Sequence, residues 1–380
     1  MVRRTFQPDM AIAPGLANPR DLPLFYNAGV KNWDIIIIGA GIIGLSVARE
    51  LRKRELSVLV VERGEPGREA SRAAAGMLAD CGDETPVALR PLACASARMY
   101  PEFAHELEDE AGTQVDLRSY GTILIGGEPA PGSSGAPLSK EQLAELEPGL
   151  VPISSPAYLL PERSVDPRAL VFAALRACKH RGVDISSGDP VTSVDVAHGV
   201  VVGVSTTKTS FKAPVVVNCA GAWAGHFPPY SFPTRPIKGQ MLAVVPPSRK
   251  TLRHVVRSPE VYLVPRTDGR LLIGATVEEA GYDKRTDSRT IHRMRRAAIK
   301  LVPALAAARI LEDWAGLRPG TPDALPILGP TPTPGYFAAT GHFRDGILLT
   351  PVTAQIMAQV ICGETPSYDI RAFSPERFHS

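Results

Sequence analysis

Two short apolar runs near the start of the chain set its fold class. Residues 34–38, DIIII, and residues 57–62, SVLVVE, each hold unbroken stretches of aliphatic residues. Such runs fit strands buried on both faces, as in parallel sheets. Between them, Val47 and Leu51 sit at helical spacing. Strand, helix and strand together occupy about 30 residues, the length of a βαβ unit with a right-handed crossover.

The pattern then changes. Residues 86–112 read mostly as helix and residues 120–127, YGTILIGG, as a strand. Residues 126–137 are crowded with breaker residues and predict a loop. Ser139 predicts the N-cap of a short helix over 139–146. Asp166 as cap, Pro167 at the first position and Gly182 at the end frame a helix over 166–182. The runs PVTSVDV, GVVVGVST and APVVVNCAG follow. GQMLAVV, VYLVPRT and RLLIGAT come after Pro236, and the breakers between them predict an antiparallel sheet. Residues 289–305 form an amphipathic pattern with Ile291, Met294, Ala298 and Leu301 on one face. Arg293, Arg295, Arg296 and Lys300 on that helix read as a solvated face. The last helix, 350–361, is expected to start with Thr350 as N-cap and Pro351 at its first position. No internal repeat stands out.

Composition narrows the class. A chain of 380 residues exceeds what one core usually holds, so two domains are expected. Hydrophobic residues at 44% and charged residues at 21% are ordinary for a soluble globular protein. A net charge of +3 is too mild to imply a nucleic-acid or anionic-membrane partner. No apolar run approaches the length of about 18 residues that a transmembrane helix needs. Residues 1–32, rich in Pro and Gly, read as a flexible leader without a secretory signal. Cys81, Cys94, Cys178, Cys219 and Cys362 are odd in number and form no CxxC pair. That fits a reduced, cytoplasmic setting and gives no zinc site.

The loop after the first strand carries a nucleotide fingerprint. GAGIIG places Gly39, Gly41 and Gly44 between a buried strand and a helix. The first glycine allows the tight turn, the second lets backbone approach a pyrophosphate, and the third permits close helix–strand packing. The helix N-terminus faces the negative charge. Glu62, at the end of the next strand, is placed to bind ribose hydroxyls and disfavours a 2′-phosphate, hence NADP. The fingerprint alone leaves NAD and FAD both open.

The next motif, ASRAAAGML at 70–78, is dense in small residues, as if its backbone were pressed against something flat. With the fingerprint, VVNCAGAWAG (216–225), WAGLRPGTPDALPILG (314–329) and GHFRDGILLTP (341–351), it resembles the FAD-dependent amino-acid oxidases of the D-amino-acid oxidase group. The resemblance is greatest to the glycine oxidases of bacterial thiamine biosynthesis and covers roughly residues 33 to 375 in order. It implies an α/β plus α+β fold: a Rossmann-like FAD-binding domain and an antiparallel-sheet substrate domain. The expected division gives residues 33–100, 164–235 and 320–380 to the FAD domain, and 101–163 and 236–319 to the substrate domain. Position by position, it places Ile42 and Ile43 with Gly39, Gly41 and Gly44 at the pyrophosphate, and Glu62 and Arg63 toward the adenosine. Ala70, Ser71, Ala75, Gly76 and Met77 would line the flavin, Val191 would meet the adenine, and His342, Phe343, Arg344, Asp345, Gly346, Ile347 and Leu348 would wrap the isoalloxazine. No cysteine falls in that loop, so the FAD is expected to be non-covalent. Two positions depart from the family: Asp345 replaces a usual Asn, and Val277 stands where a larger Met can line the pocket.

The same resemblance implies Arg318, Tyr262 and Arg344 as substrate-side residues. Arginine suits a carboxylate because its planar fork pairs with both oxygens. Arg318, between Gly/Pro turns, is expected to project from a constrained loop. The implied reaction is hydride transfer from the Cα of glycine or a similar small amine (sarcosine, small D-amino acids) to flavin, without a side-chain base. It would give an oxo acid, ammonia and, with dioxygen, hydrogen peroxide, in the service of thiazole synthesis. His342 reads as part of the flavin-wrapping loop, not as a base. Asp323, Glu278 and Glu279 read as surface carboxylates. Expected partners are the small amino acid, dioxygen and further copies of the chain, as a homotetramer. A related dehydrogenase or oxidase for D-amino acids or secondary amines, with another electron acceptor, is the alternative. A nicotinamide enzyme or a silent FAD-fold binding protein are more distant readings, the former opposed by residues 70–78.

Overall fold

A computed structural model describes residues 32–80, 85–131 and 133–378. The expected leader lies outside the described residues apart from Asn32, as does Cys81. In chain order the strands are β1 (Ile35–Ile38), β2 (Val58–Glu62), β3 (Met77–Leu78), β4 (Thr122–Ile125), β5 (Ala136–Pro137), β6 (Ala157–Leu160), β7 (Arg163–Ser164), β8 (Asp184–Ser187), β9 (Val191–Ala197) and β10 (Val200–Thr206). They continue with β11 (Ser210–Lys212), β12 (Val215–Asn218), β13 (Arg235–Val245), β14 (Val255–Arg257), β15 (Tyr262–Pro265), β16 (Leu271–Gly274), β17 (Arg309–Gly320), β18 (Ile327–Pro330) and β19 (Tyr336–Thr340). The helices are α1 (Ile42–Lys53), α2 (Ala70–Ala73), α3 (Arg90–Ala111), α4 (Lys140–Leu146), α5 (Pro167–His180), α6 (Ser288–Leu301) and α7 (Thr350–Ile361).

The isoleucines of β1 explain why this strand reads as continuously apolar. Ile35 and Ile37 enter the core shared with α1, α3, α5 and α7, while Ile36 and Ile38 enter the core on the opposite face. The strand is central in a six-stranded sheet of order β18-β19-β12-β1-β2-β8. All neighbours there are parallel except β18 and β19. A three-stranded sheet, β11-β10-β9, covers the second face through Val191, Val194, Val201 and Val204.

The second large sheet has eight strands in the order β17-β13-β16-β15-β14-β4-β6-β5. It is antiparallel except for the β14–β4 pair. One face is closed by α6, whose Ile291, Met294, Ala297 and Ala298 join Leu242, Leu263 and Ile273. The other face looks toward the six-stranded sheet. Helix α3 runs unbroken across residues 100 and 101, and Phe103, Leu107 and Ala111 pack in the same core as Leu92 and Ala93. Helix α3 thus packs along its length in the core of the parallel sheet.

Several local expectations hold. Ser139 and Gln142 form a reciprocal capping box on α4, and the Asp166 carboxylate accepts from Arg168 N–H at 2.8 Å. Others change. Helix α6 ends at Leu301, because Pro303 starts a separate 3₁₀ turn. Thr350 is not the cap of α7: Leu349 takes that place, and the Thr350 hydroxyl turns back to donate to the Gly346 carbonyl at 2.8 Å. Across the helices, buried Arg49 bonds Glu110 at 2.5 and 2.8 Å and Glu106 at 2.8 Å. Burial alone would raise Glu110, but Arg49 and Arg181 hold its carboxyl down at about 2.

Candidate active site

One continuous cavity of about 1270 Å³ runs between the two large sheets. Its first end is the fingerprint loop. Gly39 has φ +100°, and a Cβ there would stand 2.7 Å from the Cys219 carbonyl oxygen. Gly44 lies outside the cavity wall; a Cβ on it would meet the Gly39 carbonyl oxygen at 2.0 Å, so its role is packing of α1 on the loop. The N-terminus of α1 has no side-chain cap and no acid in its first turn. Ile42 N–H donates to Ser71 Oγ at 3.0 Å, which ties the fingerprint to the small-residue segment. The Glu62 carboxylate is fixed by Ala40 N–H at 2.8 Å and Gly64 N–H at 3.0 Å. Arg63 lies 3.5 Å over the Trp223 ring and pairs with Glu69 at 2.6 Å. Val191 lines the same end.

The middle of the cavity is walled by residues 70–77. Their small size answers to protein contacts as well as to the cavity. A Cβ on Gly316 of β17 would stand 2.3 Å from Ala73 Cβ, and one on Gly76 would stand 2.0 Å from the Val165 carbonyl oxygen. Trp314 Nε1 donates to the Ala73 carbonyl at 3.1 Å, and the Arg266 guanidinium donates to the Ala75 carbonyl. Thus the segment is clamped from the eight-stranded sheet while Ala70, Ser71, Ala75, Gly76 and Met77 face the cavity.

Residues 342–347 form the facing wall. His342 is buried, and its Nε2 lies 3.2 Å from Thr353 Oγ1; burial pushes it down to about 3, so it is neutral. Phe343 N–H donates to the Pro319 carbonyl at 3.0 Å, and Asp345 N–H to the His342 carbonyl at 2.9 Å. Leu348 is 1% exposed, its side chain in the core behind the wall. Two residues of α3 hold this loop from behind. Tyr100 O–H donates to the Ile347 carbonyl at 2.8 Å, and Ser96 O–H to the Leu348 carbonyl at 2.6 Å.

The far end is floored by one transverse row of the eight-stranded sheet. Strand pairing sets Trp314, Met241, Gly274, Tyr262, Arg257 and Leu124 side by side. Paired residues share a sheet face. Arg318, four residues beyond Trp314, falls on that face too. It belongs to β17, not to a loop, and pairs with Ile237. Glycines leave the space that the two polar side chains occupy. A Cβ on Gly274 would meet the Tyr262 ring at 2.6 Å, and one on Gly239 the Arg318 guanidinium at 2.3 Å. The two therefore converge over β13 and β16. Arg318 donates to the Thr276 carbonyl at 3.0 Å, and Tyr262 O–H approaches Met241 Sδ at 3.6 Å. Burial lowers Arg318, and Arg344 close by lowers it further. Burial raises Tyr262, against the pull of Arg318 and Arg344. Glu278 is half-buried and accepts from Gln240 at 2.8 Å, whereas Asp323 pairs with Arg377 at 2.8 Å at the surface. Val277 lines the cavity and is 53% exposed.

A helix N-terminus without a cap, a pinned acid on the second strand and a long two-walled cavity are the fittings of a flavin dinucleotide. FAD-dependent oxidoreductases of the DAO family match this chain over residues 34–360. The chain belongs to that family. FAD is accordingly the cofactor of this DAO-family oxidoreductase. It is 38% identical over 356 residues to the bifunctional protein ThiO/ThiG of Synechocystis sp., covering 91% of this chain and 54% of that protein. The chain thus spans about half the length of such bifunctional relatives. It is 31% identical to the glycine oxidase of Pseudomonas aeruginosa, over 90% of this chain and 98% of that one. The crystal structure of glycine oxidase from Geobacillus kaustophilus superposes with a TM-score of 0.86 at 31% identity, covering 91% of this chain and 99% of that one.

Sequence reading of this DAO-family chain missed Ser96, Tyr100, Arg257 and Arg266. Ser96 and Tyr100 sit four apart on one face of α3, a pairing visible in the sequence without its target. Arg266 and its partner Ala75 are 191 residues apart, and no local signal links them.

Proposed function

We propose that the protein catalyses oxidative deamination of glycine or a similarly small amine, with FAD and dioxygen. The convergence of Tyr262 and Arg318 at the end of the cavity that starts at the fingerprint carries this reading. The Arg318 fork would pair with the substrate carboxylate, and the Tyr262 hydroxyl would donate to the same group. With the carboxylate fixed, the amine and Cα are directed toward the walls formed by residues 70–77 and 342–347. FAD, when bound there, supplies the hydride acceptor and passes the electrons to dioxygen to give hydrogen peroxide. His342, neutral and turned to Thr353, takes no proton from substrate. The N-terminus of α7 and the amides of 346–348 place positive potential beside the same wall. Rate enhancement then rests on orientation and a fixed electrostatic field rather than on a base. The imino acid leaves to be hydrolysed to oxo acid and ammonia, or is used directly in thiazole formation, as the resemblance to the glycine oxidases of thiamine biosynthesis implies.

We further propose a two-domain enzyme, with FAD held by the parallel-sheet part and substrate by the eight-stranded sheet, that is cytoplasmic and homotetrameric. Among the described residues no helix is long and apolar enough to cross a membrane, and Cys94, Cys178 and Cys219 are free thiols. The test is anaerobic mixing of the holoenzyme with glycine, sarcosine and D-amino acids while following flavin absorbance. Glycine or sarcosine should bleach it, and air should restore it with release of peroxide. A flavin that no amine reduces would overturn the reading. Bleaching reversed only by a dye, not by air, would replace an oxidase by a dehydrogenase.

A further inference from the structure

Three side chains carry hydroxyl groups into the apolar core behind the 342–347 wall. Ser96 and Tyr100 stand on α3 and Thr350 opens α7, and all three are fully buried. Leu92, Ala93, Ala97 and Phe103 of α3 pack in the same core. A hydroxyl taken out of water is costly unless it is bonded. Each of these donates to one carbonyl of a consecutive run: Thr350 to Gly346 at 2.8 Å, Tyr100 to Ile347 at 2.8 Å and Ser96 to Leu348 at 2.6 Å. The other donor to the Ile347 carbonyl, Thr350 N–H, is farther, at 3.3 Å.

The opposite ends of these peptide groups are open. Asp345 N–H and Leu349 N–H are paired, with the His342 and Asp345 carbonyls at 2.9 and 2.8 Å. Between them, the N–H groups of Gly346, Ile347 and Leu348 have no acceptor among the described residues. Gly346 and Ile347 line the cavity. In a trans peptide the N–H points opposite to the C=O. With the Gly346 and Ile347 carbonyls drawn to Thr350 and Tyr100, the next two N–H groups are turned away from those hydroxyls. A hydroxyl that donates to a carbonyl also polarises the peptide and strengthens its N–H as a donor. Ser96 and Tyr100 thus act on a field at the cavity from behind its wall.

We propose that Ser96, Tyr100 and Thr350 are positioning residues, whose hydroxyls hold peptide groups 346–348 with their N–H groups outward and so set how strongly this wall stabilises negative charge on the flavin ring. This rests on the reading of residues 342–348 as the wall along the N1–C2=O edge of the flavin. Sulfite is a probe that needs no substrate. Its sulfur lone pair bonds N5 of the oxidised ring with nothing released, the charge it brings settles at the N1–C2=O edge, and the absorbance bleaches. Its dissociation constant therefore reads the field at that edge. The experiment titrates sulfite into the oxidised holoenzyme and into Tyr100→Phe, Ser96→Ala and Thr350→Val, with FAD content and melting temperature measured on the same samples. Tyr100→Phe keeps the ring against Phe103, 5.8 Å between centroids, and removes only the hydroxyl. Each variant should keep its FAD and bind sulfite about three- to tenfold more weakly, the share of one lost hydrogen bond. Variants that melt lower yet bind sulfite as the parent does would make the hydroxyls a structural tether and overturn the proposal. So would loss of FAD in all three. A parent that sulfite does not bleach would remove the amide field itself, and with it the reading of this wall. Weakened sulfite binding in the variants of an enzyme that no amine reduces would leave the positioning role standing and remove the proposed reaction.

Discussion

Replacing Arg318 with Ala removes the group on which the substrate assignment depends most. The guanidinium is anchored by the Thr276 carbonyl at 3.0 Å and sits where a Gly239 Cβ would otherwise be. It is therefore held in one place before any ligand arrives, and little ordering entropy opposes binding. A carboxylate paired with it gains two charge-assisted hydrogen bonds, each about 1.5–3 kcal/mol. Their joint loss is about 3–6 kcal/mol, or roughly two to four orders of magnitude in affinity. The fingerprint, residues 70–77 and the 342–347 wall lie on other elements, so FAD content should be preserved. The assay is peroxide release across a glycine titration, with the flavin-to-protein absorbance ratio measured on the same sample. Arg318→Ala should bind FAD in full and lose kcat/KM by about two orders of magnitude or more. A variant within about threefold of the parent would show that the carboxylate binds elsewhere, and with it the convergence of Tyr262 and Arg318 would lose its meaning.

Three further outcomes follow from particular contacts. Gly76→Ala adds a Cβ 2.0 Å from the Val165 carbonyl oxygen at φ +75°, so it should lower the melting temperature and FAD occupancy together, as read by thermal denaturation and flavin fluorescence. Glu110 is held at about 2 against an ordinary value near about 4.3, so its stabilisation is complete above the ordinary value and fades as pH falls toward 2. Denaturant melts should show Glu110→Gln less stable than the parent at neutral pH, with the gap closing below about pH 4. His342, pushed down to about 3 by burial, stays neutral through the working range. The pH profile of anaerobic flavin reduction should keep its inflections in His342→Asn, and the loss of one near neutrality would make His342 a proton carrier after all.

Much of the parallel-sheet half was legible because its signals are local. The alternating destinations of Ile35, Ile36, Ile37 and Ile38 require a strand covered on both faces, and the sequence displays that as an unbroken apolar run. The fingerprint glycines lie within six residues, and Gly44 packs directly against Gly39. Arg318 was misplaced for a related reason. Glycines at 316 and 320 look like turn residues, yet in β17 they are bare positions where Ala73 and Ile237 press against the strand. Thr350 looks like a cap by type and position, but its hydroxyl is already engaged by Gly346.

The substrate end resists sequence reading because its floor is assembled sideways. Trp314, Met241, Gly274, Tyr262, Arg257 and Leu124 come from six strands and are neighbours only through sheet register. A shift of one residue in any of those pairings would turn a polar group away from the cavity. Substrate choice is therefore a property of register, whereas cofactor choice is a property of short contiguous motifs. That difference explains how ASRAAAGML could point to the flavin while leaving the amine undecided. It also explains why Arg257, which no motif marks, stands beside the tyrosine that a motif does mark.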